Sequence, residues 1–532
     1  MRFLVAAFQN FSWFFIALLL FAVSLPLSES LVSVSGGLLL AAALFESKFH
    51  ISKETRKLKM LLLFLVAIFL LYLLSSLFSA DRQTALYDLR KNAFLLVLPV
   101  AFLFGKEMQP NQKLVLFWSF TGAVFIATII ALFTWMLHPA AGNFGIQKAS
   151  LISHIRFGFQ IILAGWFLIW FYIENRKLLS TTQNILVISM GAWLFFFLFL
   201  QKSLLGMVGL FATAVIFLFL VIKRLRQPFR RIFLFSGITV LLLPPVYLGW
   251  AVWHFYDVEQ VDFAGLEKTT AAGNPYTHDL TNPLVENGRY VYRYVCEEEL
   301  RRGWNQIATI PYDSAGANGY AVKETLLRYL TSKGLRKDAS GVSALTQEDV
   351  RNIEQGVANY IYKKNAFSLY PRIYSTIWEY YVYTNTGYSD KQSFSQRIEF
   401  ARAALTIIRQ HPFFGVGAGD WKKAFQEAYD QNASALNKEL RGTAHNQYLN
   451  YLVKFGILGL LLIVFCFAYP VLKSRRYSDP LFLLFLVLMM AVNLGDSNLE
   501  SHMGLSFFLF FYCLFLAADG TAYLQLKARP RT

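Results

Sequence analysis

A chain of 532 residues in which 56% are hydrophobic, 51 are Phe and only 16% are charged is not an ordinary soluble protein, where about one residue in four is charged. Nor is it a disordered chain, which would be poor in aromatic and aliphatic residues. The apolar residues stand in long blocks almost free of charge, as in a polytopic membrane protein, so the net charge of +17 is interpreted by its location.

Crossing roughly 30 Å of hydrocarbon takes about twenty apolar residues. About twelve stretches qualify, centred on 11–28, 31–45, 60–78, 93–105, 114–137, 157–173, 184–200, 204–222, 232–254, 447–471, 480–495 and 503–523. The first, behind Arg2, has the make-up of a signal-peptide core. Another apolar run follows almost at once, so a retained span is expected. The expected division is nine transmembrane helices over 1–254, a mostly helical extracytoplasmic loop domain over 255–445, and three further transmembrane helices with a cytoplasmic tail over 446–532.

Lys and Arg in the short loops set the orientation. One set of loops, with the two chain ends, holds twenty-one of them: Lys48, Lys53, Arg56, Lys57, Lys59, Lys106, Lys113, Arg176, Lys177, Lys223, Arg224, Arg226, Arg230, Arg231, Lys473, Arg475, Arg476, Arg2, Lys527, Arg529 and Arg531. The alternate loops hold six: Arg82, Arg90, Lys91, Lys148, Arg156 and Lys202. Both termini are therefore expected on the cytoplasmic side of the membrane. The basic excess faces anionic lipid and is not a nucleic-acid footprint.

Segment 255–445 falls on the opposite side and is neutral, with 22 Lys plus Arg against 22 Asp plus Glu. Residues 321–331 put Val322, Leu326, Leu327 and Leu330 near one helical face, and 395–409 put Ile398, Ala401, Leu405 and Ile408 on one stripe. Cys296, Cys466 and Cys513 are too few for a disulfide framework and lack metal-type spacing.

Three constellations could carry chemistry. The first is Arg441-Gly-Thr-Ala-His445-Asn446, running into the tenth apolar stretch. Thr443 is a plausible N-cap, which would put His445 in the first helical turn, where the helix dipole favours a neutral imidazole fit for a general base. An interfacial histidine that only bonds the loop suits the same spacing. The second is the helix with Arg397, Arg402 and Arg409, followed by Gly415-x-Gly417-x-Gly419. Arginine forks suit phosphate oxygens, although a solvated face explains them too. The glycine run reads either as an anion-binding nest or as a tight turn before a helix capped by Asp420. The third comprises polar residues at the outer ends of spans: Lys202, His154, Arg156, Asp496, Glu500 and His502, functional by default at membrane depth but open to a snorkelling role. No Asp-x-Asp, P-loop, zinc spacing or Gly-x-Ser-x-Gly is found on that side, so chemistry without metal, nucleotide or other cofactor is expected.

The stretches RIEFARAALTIIRQHPFFGVGAGDW and AHNQYLNYLVKFGILGLLL resemble the O-antigen ligase and polymerase superfamily, polytopic enzymes acting on undecaprenyl-pyrophosphate-linked glycans at the periplasmic membrane face. The loop stretch GNPYTHDLTNPLVENGRYVYRYVCEEEL is similar to the version in the Bacteroidetes branch. The resemblance implies an all-α, GT-C-like membrane glycosyltransferase with His445 as catalytic His and Arg397 on the pyrophosphate. Lys202 stands nearest to the family's second Arg, a departure that brings Arg156 in as another cation. Beside these, His154, Arg402 and Asn446 are expected among the substrate-binding residues from their places in the constellations above. Implied partners are the lipid-linked donor, a lipid A core or other hydroxyl acceptor, and membrane lipid, without nucleic acid. Ligase, polymerase and protein O-oligosaccharyltransferase share these residues, with ligase the first choice. A transporter or flippase of the same lipid, or a membrane scaffold, stays open as a different class.

Overall fold

The computed structural model describes residues 12–51, 56–137, 146–262, 265–317, 319–364 and 368–517. Arg2, Lys53, Lys527, Arg529 and Arg531 of the charge count lie outside them. Among the described residues the strands are confined to one ladder of two residues a side, Val285–Glu286 against Arg289–Tyr290. The rest is helix and loop, an all-α polytopic membrane protein.

Among the described residues eight helices are long and apolar enough to cross a membrane: Glu29–Ser47, Arg56–Leu77, Pro110–Leu137, His154–Asn175, Thr181–Leu200, Leu204–Arg224, Phe229–Tyr256 and Gln447–Lys473. Four of the expected spans form shorter apolar helices. These are Trp13–Ser24, Phe94–Phe104, Pro480–Val492 and His502–Ala517, of 12, 11, 13 and 16 described residues; residue 11 of the first expected stretch and residues 518–523 of the last lie outside the described residues. At 1.5 Å per residue they cover roughly 17–24 Å.

The described residues divide into two compact units, one of 12–137, 146–237 and 396–517, the other of 238–395. Residues 396–445, part of the 255–445 loop in the sequence, thus cluster with the apolar helices. In the first unit, aromatic side chains fill the interior; Phe117 stacks on Phe167 at 5.2 Å and Phe482 on Phe515 at 5.0 Å. Some polar groups pair across helices, as lipid surroundings favour: Trp166 donates to Thr213 (2.9 Å) and Trp193 to Thr128 (2.8 Å). In the second unit, helix Val322–Lys333 buries Val322, Leu326, Leu327 and Leu330, the face expected from sequence, against Leu300, Trp304, Tyr312 and Ile353.

Helix Ser393–Gln410 corrects an expectation. Its buried face is Phe400, Ala403, Ala404 and Ile407, while Leu405 is 44% exposed. That stripe is turned by about 130° from Ile398, Ala401, Leu405 and Ile408, at 100° per residue. The run is apolar over most of its circumference, so periodicity allows both faces. Packing against Phe425, Ala428 and Tyr429 of helix Trp421–Gln431 selects one.

Candidate active site

Helix Gln447–Lys473 begins with Asn446 as its N-cap, not Thr443. The Asn446 side-chain oxygen accepts from the N–H groups of Tyr448 (3.0 Å) and Leu449 (3.1 Å), and its amide donates to the Leu494 carbonyl (2.9 Å). His445 therefore lies just outside the helix, in the left-handed region at φ 46°, and not in its first turn. The Ala444 N–H donates to Asn450 Oδ1 (3.3 Å), which bends the chain back over the helix start.

The imidazole is fixed on two sides. Nδ1 lies 3.1 Å from Asp496 Oδ1, and the Phe400 ring stacks on it at 5.4 Å and 24°. A buried carboxylate facing Nδ1 selects the tautomer with the proton there and leaves the Nε2 lone pair free. Asp496 also accepts from the Ser497 N–H (2.8 Å) and from Arg156 (3.4 Å). Burial pushes the Asp496 carboxyl up, but His445 and Arg156 outweigh it and hold the group below its ordinary value. Arg156 is in turn held by Ser153 (3.0 Å) and Ser501 (3.1 Å).

His445, Arg156, Asp496, Ser497 and Ser501 line a cavity of about 350 Å³. Its other polar walls are Lys91, Lys422, Lys454 and Glu500; Tyr87, Trp421, Phe425 and Val453 supply apolar surface. Glu500 accepts from Lys454 (2.8 Å) and Lys91 (3.1 Å), and Asp88 pairs with the same two ammonium groups. Tyr72 donates to the other Glu500 oxygen (3.2 Å). Burial raises the Glu500 carboxyl, yet the two lysines hold it well below its usual range. Two cations and two carboxylates form an internally neutral square in the cavity wall, with Asp88 behind it.

A break in helix Gln447–Lys473 puts Lys454 there. Gly456 adopts φ 61°, ψ −167°, a conformation open essentially to glycine alone. The break frees backbone groups on both sides, which at membrane depth must find partners within the protein. Segment 412–417 provides them. Val416 and Gly417 donate to the carbonyls of Val453 (2.8 Å) and Lys454 (2.9 Å), while Pro412 and Phe413 accept from Ile457 (2.8 Å) and Leu458 (3.2 Å). Ala418 and Gly419 donate to Ser75 (2.9 Å) and Ser79 (3.0 Å). Every N–H from Val416 to Gly419 is thus spent on protein, which overturns the anion-nest alternative for the glycine run. Asp420 stands at the N-cap of Trp421–Gln431 without capping it; its carboxylate accepts from Ala80 (3.0 Å) and Asp81 (2.9 Å).

The structure brings His445 and Arg156 together in the cavity. Arg397 lies half-buried one helical turn before Phe400, the ring that stacks on His445, and makes no ion pair among the described residues. Arg402 is mostly exposed and pairs with Glu399 (3.3 Å). Lys202, at φ 50° in the hairpin between Thr181–Leu200 and Leu204–Arg224, is not a cavity residue; partial burial lowers its ammonium pKa. His154 opens helix His154–Asn175 and is not a cavity residue either. Sequence reasoning missed Phe400, Asp88 and Lys422, and counted Lys91 only as a topology signal. Asp88 and Lys91, three apart on one helical face, were the legible trace of the square.

Residues 344–464 match the family model described as O-antigen ligase. Over that segment the chain is similar to the O-antigen ligase family, and its long apolar helices are those of a membrane protein. No curated protein matches it. The matched span contains Arg397, the glycine run, His445 and Gly456, so the two conspicuous motif stretches are one hydrogen-bonded unit. Lys91, Arg156, Asp496 and Glu500 come from outside it. The match supports ligase- or polymerase-type glycosyl transfer in general, with a lipid-linked glycan as donor and a glycan as acceptor.

Proposed function

We propose that this protein transfers a glycan from an undecaprenyl-pyrophosphate carrier to a lipid A core sugar hydroxyl at the periplasmic face of the inner membrane. The fold proposed for it is GT-C-like, with twelve spans. The observation that carries this reading is the His445–Asp496 pair on the wall of a cation-lined cavity. Asp496 orients the imidazole, and Nε2 takes the acceptor hydroxyl proton as its oxygen bonds to the anomeric carbon. The carbon–oxygen bond to pyrophosphate breaks, and the carrier pyrophosphate leaves with the electron pair. Arg397, with Lys202 as the family's second cation and Arg156 beside His445, stabilises that charge. Asn446, His154 and Arg402 belong to the surrounding donor site, Asn446 by fixing the turn that carries His445. Cations at the leaving group make the step independent of metal and cofactor.

A deletion strain tests the reading. Complete loss of lipid A-attached glycan, with carrier-linked glycan accumulating, is the expected result. Retention of a single attached repeat indicates a polymerase, and loss of glycan from protein indicates a protein O-oligosaccharyltransferase. Purified protein that moves the donor across vesicles without forming a glycosidic bond would replace transfer with flipping. Transfer is expected to proceed in excess chelator.

A further inference from the structure

Charges around the polar cavity do not cancel. Arg156 is matched by Asp496, and Lys91 and Lys454 are matched by Asp88 and Glu500. Lys422 remains. Its ammonium lies over the Tyr87 and Trp421 rings at 5.5 and 5.6 Å, and Asp81 is the carboxyl that feels its charge without pairing to it. Lys91 uses two directions on Asp88 (3.4 Å) and Glu500 (3.1 Å). An ammonium has three donors, so one is left for the cavity, where the side chain is 16% exposed.

We propose that Lys422 and Lys91 bind the pyrophosphate of the lipid-linked donor in this cavity, Lys422 through the charge that no wall carboxylate neutralises and Lys91 through its third N–H. The inference rests on the transfer reading above and adds two residues to it. The neutral square holds Lys91 at the wall in a fixed place, so little side-chain freedom is lost on binding. The Tyr87 and Trp421 rings lie within cation–π reach of the exposed Lys422 ammonium, which stays open to an anion entering the cavity.

The test is titration of inorganic pyrophosphate and, separately, orthophosphate into the full-length protein in detergent, followed by calorimetry. Pyrophosphate is expected to bind at least about tenfold more tightly than orthophosphate. Lys422→Gln should weaken it roughly tenfold, the scale of one charge-assisted contact, and Lys422→Arg should largely restore it. Lys423→Gln is the control: its side chain is 81% exposed, pairs with Glu427 at 3.7 Å and does not line the cavity. Lys91→Gln should weaken binding similarly. Lys422 is a surface side chain whose loss leaves the fold intact, so the result does not hang on Lys91. Equal affinity for the two anions, or equal losses in Lys422→Gln and Lys423→Gln, would overturn the proposal. Lys422-dependent pyrophosphate binding in a protein that fails to transfer glycan would sink the transfer reading alone. Transfer by a protein whose pyrophosphate binding ignores Lys422 would sink this inference alone.

Discussion

His445 is held by three contacts of different kinds: a carboxylate at Nδ1, an aromatic ring on its face, and a cap on the next residue that fixes the backbone turn. If Nε2 is the base, His445→Ala lowers single-turnover rate by roughly 10²–10⁴-fold and leaves donor affinity near normal. Arg397→Ala weakens donor binding as well as turnover, because the leaving group is already anionic in the ground state, and Arg397→Lys rescues poorly without the fork. Reversed effects on binding would exchange the two roles. Asp496→Asn is expected to lower turnover roughly 10–100-fold with little loss of donor affinity. Glu500 belongs to stability. Its depressed carboxyl contributes fully above the ordinary value of 4.5, and the contribution is withdrawn only as pH falls through the depressed pKa. Glu500→Gln leaves two lysines with one carboxylate and costs roughly 3–5 kcal/mol. The melting-temperature gap to wild type should hold from pH 7 to about 5 and close only in stronger acid. A gap that closes already near pH 6 contradicts this.

At the scale of elements, the break at Gly456 and the segment 412–417 are one device. A Cβ on Gly456 would lie 2.3 Å from the Phe413 carbonyl, and one on Gly415 would lie 2.5 Å from the Val453 oxygen. Neither neighbour can retreat without losing the backbone bonds that repair the helix. Gly456→Ala therefore combines strain at a glycine-only conformation, about 1–3 kcal/mol, with a backbone collision. It should lower the melting temperature sharply and displace Lys454 from Glu500. Gly122→Ala is the contrast: the added Cβ meets nothing within 4 Å, and its effect should stay within about 1 kcal/mol. Equal melting temperatures for the two variants would remove the device from the account.

For the whole molecule, the cavity and its proposed chemistry require residues 255–445 on the donor's side of the membrane. Reporter fusions within 223–231 are expected to read cytoplasmic, and fusions at Asn287 or Ser340 extracytoplasmic. A cytoplasmic result at Asn287 would place His445 away from a periplasmic donor. The cavity gathers residues from five separate stretches, including 87–91, 156, 421–425 and 443–454, with 496–501 closing it.

The sequence alone determined that the chain lives in a membrane and where its apolar stretches lie, and it singled out His445 and Arg397 as candidates for a chemical role. Each is a local property: hydropathy needs only about twenty neighbours, and the motif stretches are contiguous in the chain. The tertiary structure decided the rest. Which face of Ser393–Gln410 is buried depends on Phe425 and Tyr429 arriving from another helix. Asn446 becomes the cap because Leu494 and Asn450 bend the chain at His445. The glycine run repairs a broken helix instead of binding an anion because its N–H groups meet Val453 and Lys454. The pairing of Lys454 with Asp88, 366 positions away, leaves no trace in local spacing. Burial of charge is tolerated only where folding delivers the opposite charge, and that delivery is a property of the packed chain.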